Sequence, residues 1–131
     1  MTMMTRTMAT SSNDIMDVAT LSKQGKRFLH IAVGVALMSK CRYRHGAVVV
    51  KGGRIVGASP NLHRNDARFV DWKSCSTHAE AAALKKAGYP RRATVYVARV
   101  GRNNPITRLS KPCEQCAELI NSLQCKAAWT T

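Results

Sequence analysis

The stretch "GAVVVKGGRIVGAS", residues 46–59, decides the fold. Two β-branched runs, Ala47–Val50 and Ile55–Ala58, flank the turn "KGGR". Paired glycines between such runs predict a β-hairpin. Upstream, "KRFLHIAVGVALMSK" carries apolar residues at 28, 29, 31–33 and 35–38. That spread is too broad for one strand and too wide for a surface stripe. It predicts a largely buried helix over roughly 21–40 that tolerates Gly34. Downstream, "PNLHRNDARFVDWKSCS", residues 60–76, shows no sustained period and reads as a long loop, a kind of segment that is often functional.

Beyond that loop the pattern alternates. "THAEAAALKKAGYP", residues 77–90, predicts a helix that Thr77 caps and that Gly88 with Pro90 ends. "ATVYVARV", 93–100, predicts a strand, and "GRNNPITRLSK", 101–111, a loop. "PCEQCAELINSL" predicts a helix with Pro112 in its first turn, running to about Leu123. "CKAAWTT", 125–131, predicts a last short strand. The order α, β, β, α, β, α, β implies one mixed sheet with helices on its faces, that is, a three-layer α/β/α domain over 21–131. Its β–α–β crossovers are expected to be right-handed. The opening "MTMMTRTMATSSND" has no apolar core, so residues 1–20 read as a polar tail rather than a signal peptide.

The chain has 131 residues, enough for one domain with a sizeable core. Lys and Arg number 21 against 7 Asp and Glu, a formal charge of +14, so a polyanion or a phosphorylated small molecule is the natural partner. From Ala81 to Cys113 there is no acidic residue, but eight basic ones. Five cysteines, an odd number with no secretory signal, fit a reducing, cytoplasmic setting better than a disulfide framework. The longest apolar run is broken by His30 and is too short to span a bilayer, so no membrane partner is expected.

Chemistry concentrates at two helix starts. One carries His78 and Glu80, the other Cys113 and Cys116. A C-x-x-C turn at a helix start turns both sulfurs to one side, and the helix N-terminus lowers thiol pKa values. One imidazole from a neighbouring helix start gives three ligands for Zn2+, leaving the fourth position for water, the pattern of a catalytic site. Glu80, two residues past the histidine, is then placed for general acid–base work. Taken singly, each motif has a plainer reading. "THAE" is also a capping box, with Thr77 at the cap and Glu80 at the third helical position. "CEQC" could be redox-active or half of a structural zinc site, but no second C-x-x-C or H-x-x-x-H closes such a site. Only the joint reading uses both.

Together "HAE…PCEQC" resembles the H-x-E…P-C-x-x-C signature of the zinc-dependent cytidine and deoxycytidylate deaminase superfamily. The likeness covers roughly residues 25–131, including the hairpin and "TVYV" before the second motif. It implies that His78, Cys113 and Cys116 hold Zn2+ and that water is delivered to C4 of a cytosine, or less expectedly C6 of an adenine. It implies that Glu80 shuttles protons, that Asn61 holds sugar or base, and that the backbone at Ala79 reads the base edge. Ser110, Trp72 and His63 are taken as further candidate substrate contacts; Trp72 could stack on a base or pack under its loop. Cys75 is expected to pack beside the site, and Cys41 and Cys125 to be small buried residues. The sequence departs from the family in its basic 101–111 loop, in the residues of 60–76, and in ending at the fourth predicted strand. The edge of that strand must be exposed, covered by the N-terminal tail, or paired in a homo-oligomer. The expected substrate is a cytosine-containing nucleotide or nucleoside. The alternatives are cytosine in single-stranded DNA or RNA, and a zinc-stabilised module that binds nucleic acid without catalysis.

Overall fold

The computed structural model describes residues 5–8, 21–63, 70–71, 76–101 and 107–130, with backbone alone at 5–8, 63, 70–71 and 76–77. In chain order the elements are β1 (Thr5–Met8), α1 (Lys23–Leu37), β2 (Arg44–Lys51), β3 (Arg54–Pro60), β4 (Leu62–His63), β5 (Val70–Asp71) and β6 (Ser76–Thr77). They continue with α2 (Ala79–Lys86), β7 (Thr94–Val100), β8 (Thr107–Arg108), α3 (Glu114–Ser122) and β9 (Lys126–Thr130).

The hairpin forms as its sequence dictates. Lys51 pairs with Arg54 around Gly52 and Gly53, which take φ of 60° and 75°. Two successive positive φ values define the turn whose twist matches the strands, and only glycine adopts them without cost. β2 then pairs antiparallel with β3 on one side and with β7 on the other. β3 and β7 therefore run in the same direction, joined through α2. β7 and β9 pair in parallel, joined through α3. The main sheet is mixed, in the order β1-β9-β7-β2-β3, with β8 continuing alongside the end of β7.

Strand alternation divides the core into two layers. Ala47, Val49, Val95, Val97, Ala127 and Trp129 face α2 and α3, where Leu84 and Ile120 pack on them. Val48, Val50, Tyr96, Ala98, Val100 and Ala128 face α1, against Phe28, Leu29, Ala32, Val33 and Ala36. Two glycines set how closely the helices approach. A Cβ on Gly46 would lie 2.3 Å from the Ala36 nitrogen of α1, and one on Gly57 would lie 2.6 Å from the Ala83 oxygen of α2.

Several sequence expectations need correction. α1 is not largely buried; its buried residues form one stripe, at 25, 28, 29, 32, 33 and 36. Leu37 and Met38 stand 43% and 69% exposed, because the sheet covers only one side of the helix. The segment 60–76 is not all loop: β4, β6 and β5 form a small three-stranded sheet whose two-residue strands are too short to show a period. Within 101–111, Thr107–Arg108 pairs with β7. β9 does not end the sheet: β1 pairs antiparallel with it, from Thr5 opposite Thr130 to Met8 opposite Ala127. Of the ways to close that edge, the molecule uses its own N-terminal segment. Trp72, Cys75 and residues 102–106 lie outside the described residues. No helix among those described is long and apolar enough to cross a membrane.

Candidate metal centre

Both chemical motifs sit at helix starts that come later than the sequence suggests, by one residue in α2 and two in α3. The cap of α2 is His78, not Thr77, in extended backbone at φ −64° and ψ 142°. The cap of α3 is Cys113, at φ −66° and ψ 169°, so Pro112 precedes the helix instead of opening it. An extended cap turns its side chain toward the open end of the helix. His78 makes no cap hydrogen bond. The shift also removes the capping-box geometry: Glu80 becomes the second helical residue, not the third.

The three side chains converge. The Nδ1 atom of His78 lies 3.3 Å from the Cys113 sulfur and 3.4 Å from the Cys116 sulfur. All three donor atoms fall within 4.8 Å of one another, and among the described residues they are the group that could hold a metal ion. Neither cysteine is in a disulfide. Two sulfurs and an imidazole nitrogen fit zinc, and three protein ligands leave it an open position. Cys116 is buried against Ala81 of α2, which locks the two helix starts together.

The electrostatics suit a thiolate site. The hydrogen bond from Cys116 lowers the Cys113 thiol to about 4, with burial opposing and His78 assisting. The same contact and burial push Cys116 up. Without a metal the pair therefore shares one proton between two sulfurs, and metal binding displaces it. Glu80 is buried, 5% exposed. Burial raises its carboxyl above the ordinary range; its own backbone N–H and His78 oppose this, and Cys113 adds to it. Burial thus favours the protonated carboxyl, and its proton is tied to the charges on His78 and Cys113 beside it.

Asn61 is brought to the same place. Leu62 pairs with Thr77 in the small sheet, and continuing that register sets Asn61 opposite His78. Its buried side chain fastens the segment between α1 and β2. Its Oδ1 accepts from the Ser39 hydroxyl at 2.5 Å and from the His45 amide at 3.0 Å, and its Nδ2 donates to the Tyr43 carbonyl at 2.6 Å. Ala79, fully buried, opens α2 as its first helical residue, where the amide has no partner within the helix. Ser110 is buried, and its hydroxyl lies 2.9 Å from both the Val97 carbonyl and the Thr130 hydroxyl while accepting from the Thr130 amide. It thereby joins the ends of β7 and β9. The backbone of His63 runs in β4 opposite Ser76. Cys41 and Cys125 are buried, as expected, and neither is in a disulfide.

Sequence reasoning missed a cluster at this end of the sheet. The Tyr43 ring, 40% exposed, has the Arg99 guanidinium carbon 5.3 Å from its centroid and that of Arg42 at 5.6 Å. Arg99 also faces Arg108 across β7 and β8. These residues range from 42 to 108 in the chain, so only the strand register reveals them.

A mixed sheet layered by helices, with an imidazole and two thiols at adjacent helix starts and a buried carboxylate beside them, defines a zinc-dependent deaminase. The comparison with known families agrees. The family described as the cytidine and deoxycytidylate deaminase zinc-binding region matches residues 22–130, and this chain belongs to it. No curated protein matches the sequence.

Proposed function

We propose that the protein hydrolyses cytosine to uracil in a (deoxy)cytidine nucleotide or nucleoside, releasing ammonia, in a reducing cytoplasmic setting. The observation that carries this reading is the buried Glu80, two residues beyond His78, with its carboxyl raised by burial beside the convergent sulfurs. Bound by His78, Cys113 and Cys116, zinc supplies an activated water at neutral pH. Glu80 takes a proton from the attacking water and delivers it to N3 of the ring. It then carries the second proton to the amino group at C4. One water enters, the C4–N bond breaks, a C4 carbonyl forms and one ammonia leaves. Asn61 keeps one Nδ2 hydrogen beyond its bond to Tyr43, which it offers to a sugar hydroxyl, and the Ala79 amide at the start of α2 donates to the base. Ser110 acts through the segment it anchors just ahead of Cys113, and His63 and Trp72 are proposed to border the substrate.

The Tyr43 cluster favours a second reading, cytosine within single-stranded DNA or RNA. A half-exposed aromatic ring with two guanidinium groups within 6 Å of its centroid brings a surface for a base together with two phosphate ligands. Like charges facing each other across strands, as at Arg99 and Arg108, are unfavourable unless a polyanion neutralises them. Ammonia release measured in parallel on deoxycytidine, deoxycytidylate and a single-stranded oligonucleotide decides between the two. Product from the free nucleotide supports the first reading. Product from the oligonucleotide alone, with activity falling steeply in salt, moves the assignment to the second. A stoichiometric zinc protein inert on all three overturns both and leaves the non-catalytic module.

A further inference from the structure

On the α1 side of the sheet, at the opposite end from His78, lies a cavity of about 210 Å³. Its wall includes Lys51, Gly52 and Gly53 of the hairpin turn, Arg92 and Thr94 ahead of and within β7, Tyr96, and Ser22, Gln24 and Gly25 at the start of α1. The register fixes its place. Val50 pairs with Thr94 at this end of β2, whereas Arg44 pairs with Val100 at the end where Asn61 holds His45. The two ends are roughly 20 Å apart at the rise of a strand.

The wall lacks what a positively charged cavity needs to be self-sufficient. No acidic side chain is among its lining residues, and none stands in the first turn of α1. Lys51 and Arg92 carry no ion pair among the described residues; Arg92, in left-handed backbone at φ 58°, gives only its Nε to Gln124, at 3.3 Å. The amides of Lys23 and Gln24 precede the first intrahelical bonds of a 15-residue helix, while the Gly25 amide goes to the Ser22 hydroxyl. Tyr96 supplies the independent sign. It is only 8% exposed, its ring packs on Phe28 with centroids 5.6 Å apart, and its hydroxyl meets no hydrogen-bond partner among the described residues. That hydroxyl reaches the first turn of α1, 3.5 Å from where a Cβ on Gly25 would stand. Burial raises its pKa, which keeps it a donor. A hydroxyl that opens onto the cavity with no partner among the described residues is available to donate to a group held there.

We propose that this cavity binds a phosphate group, held by Lys51, Arg92, the Tyr96 hydroxyl and the start of α1, at a site separate from the zinc centre. Its volume is below the roughly 300–1,000 Å³ of sites that enclose whole small molecules, so it takes the anionic group and leaves the rest of the ligand outside. The phosphate comes either from a free phosphorylated metabolite or from a nucleic-acid backbone.

Calorimetric titration of the full-length, zinc-loaded chain at fixed ionic strength tests this, with pyrophosphate in one arm and an abasic single-stranded oligonucleotide in the other. Saturable binding in either arm is expected, and the arm in which it occurs names the source. Tyr96→Phe keeps the ring against Phe28 and should weaken that binding about tenfold or more, with zinc content and unliganded melting unchanged. Lys51→Gln with Arg92→Gln should abolish it. Lys85→Gln with Lys86→Gln, which removes the same charge from the exposed end of α2, should leave it intact. No saturable binding in either arm, equal loss in the α2 control, or full affinity in Tyr96→Phe overturns the proposal. None of these outcomes depends on deaminase activity.

Discussion

At the start of α1 the Ser22 hydroxyl accepts the Gly25 amide at 3.0 Å; at the starts of α2 and α3 the same position holds His78 and Cys113. The backbone is alike in all three, with ψ of 164°, 142° and 169°. Only the use of the side chain differs. In α1 it turns back onto its own helix and satisfies an orphan amide. In α2 it makes no such bond and instead meets the two sulfurs of the neighbouring turn. Cys113 stands between the two, since its sulfur still accepts from the Cys116 amide at 3.5 Å. The cap position is thus a general device for projecting a side chain off a helix end. Giving it wholly to a metal ligand, as α2 does, forgoes about 1 kcal/mol of capping, which metal binding more than offsets.

The largest test of that contrast removes the ligand at the intermediate cap. Cys113→Ala should abolish stoichiometric zinc in the purified protein, read by metal analysis, and activity with it. Retention of one zinc per chain would break the comparison, because α3 would then start like α1. Next in size is Glu80→Gln. It should keep the zinc and the fold while turnover falls about 10²–10⁴-fold, the usual contribution of a positioned acid–base group. Loss of zinc together with activity would instead make Glu80 a support of the cap geometry.

A third prediction concerns the frame that brings α2 and α3 together while α1 lies on the other face. Gly46→Ala places a methyl against the backbone of α1 and should destabilise the fold by about 1–3 kcal/mol in urea denaturation. Zinc stoichiometry in the folded fraction should not change, because α1 contributes no ligand. The local sequence foretold much of this frame: the hairpin from "KGGR", the helix stop at Gly88, and both ligand motifs. Gly88, at φ 77°, ends α2 as expected, with the Tyr89 amide returning to the Leu84 carbonyl. Other features depend on contacts distant in sequence and have no local signature. Thr5–Met8 is a polar string until β9 offers it an unpaired edge. Asn61 resembles any loop asparagine until Ser39, Tyr43 and His45 fold onto it. The later start of both helices arises where the metal ligands, not local capping preference, decide the start of the helix.

The smallest effect is the sharpest test, because its sign reverses between the two kinds of cap. Ser22→Ala removes the hydroxyl that satisfies Gly25 and should cost about 1 kcal/mol with or without zinc. His78→Ser does the opposite in the chelated protein. It restores a capping hydroxyl where the extended backbone is already set and the side chain makes no cap bond. The zinc-free chain should therefore gain up to about 1 kcal/mol. With zinc present the same variant should be less stable than the parent, because it has lost a ligand and with it the linkage of metal binding to folding. Urea midpoints of the two variants and the parent, with and without chelator, give the comparison directly. If His78→Ser destabilised the chelated protein as well, the imidazole would be packing the site irrespective of metal, and the division between structural and ligand-bearing caps would fail at α2.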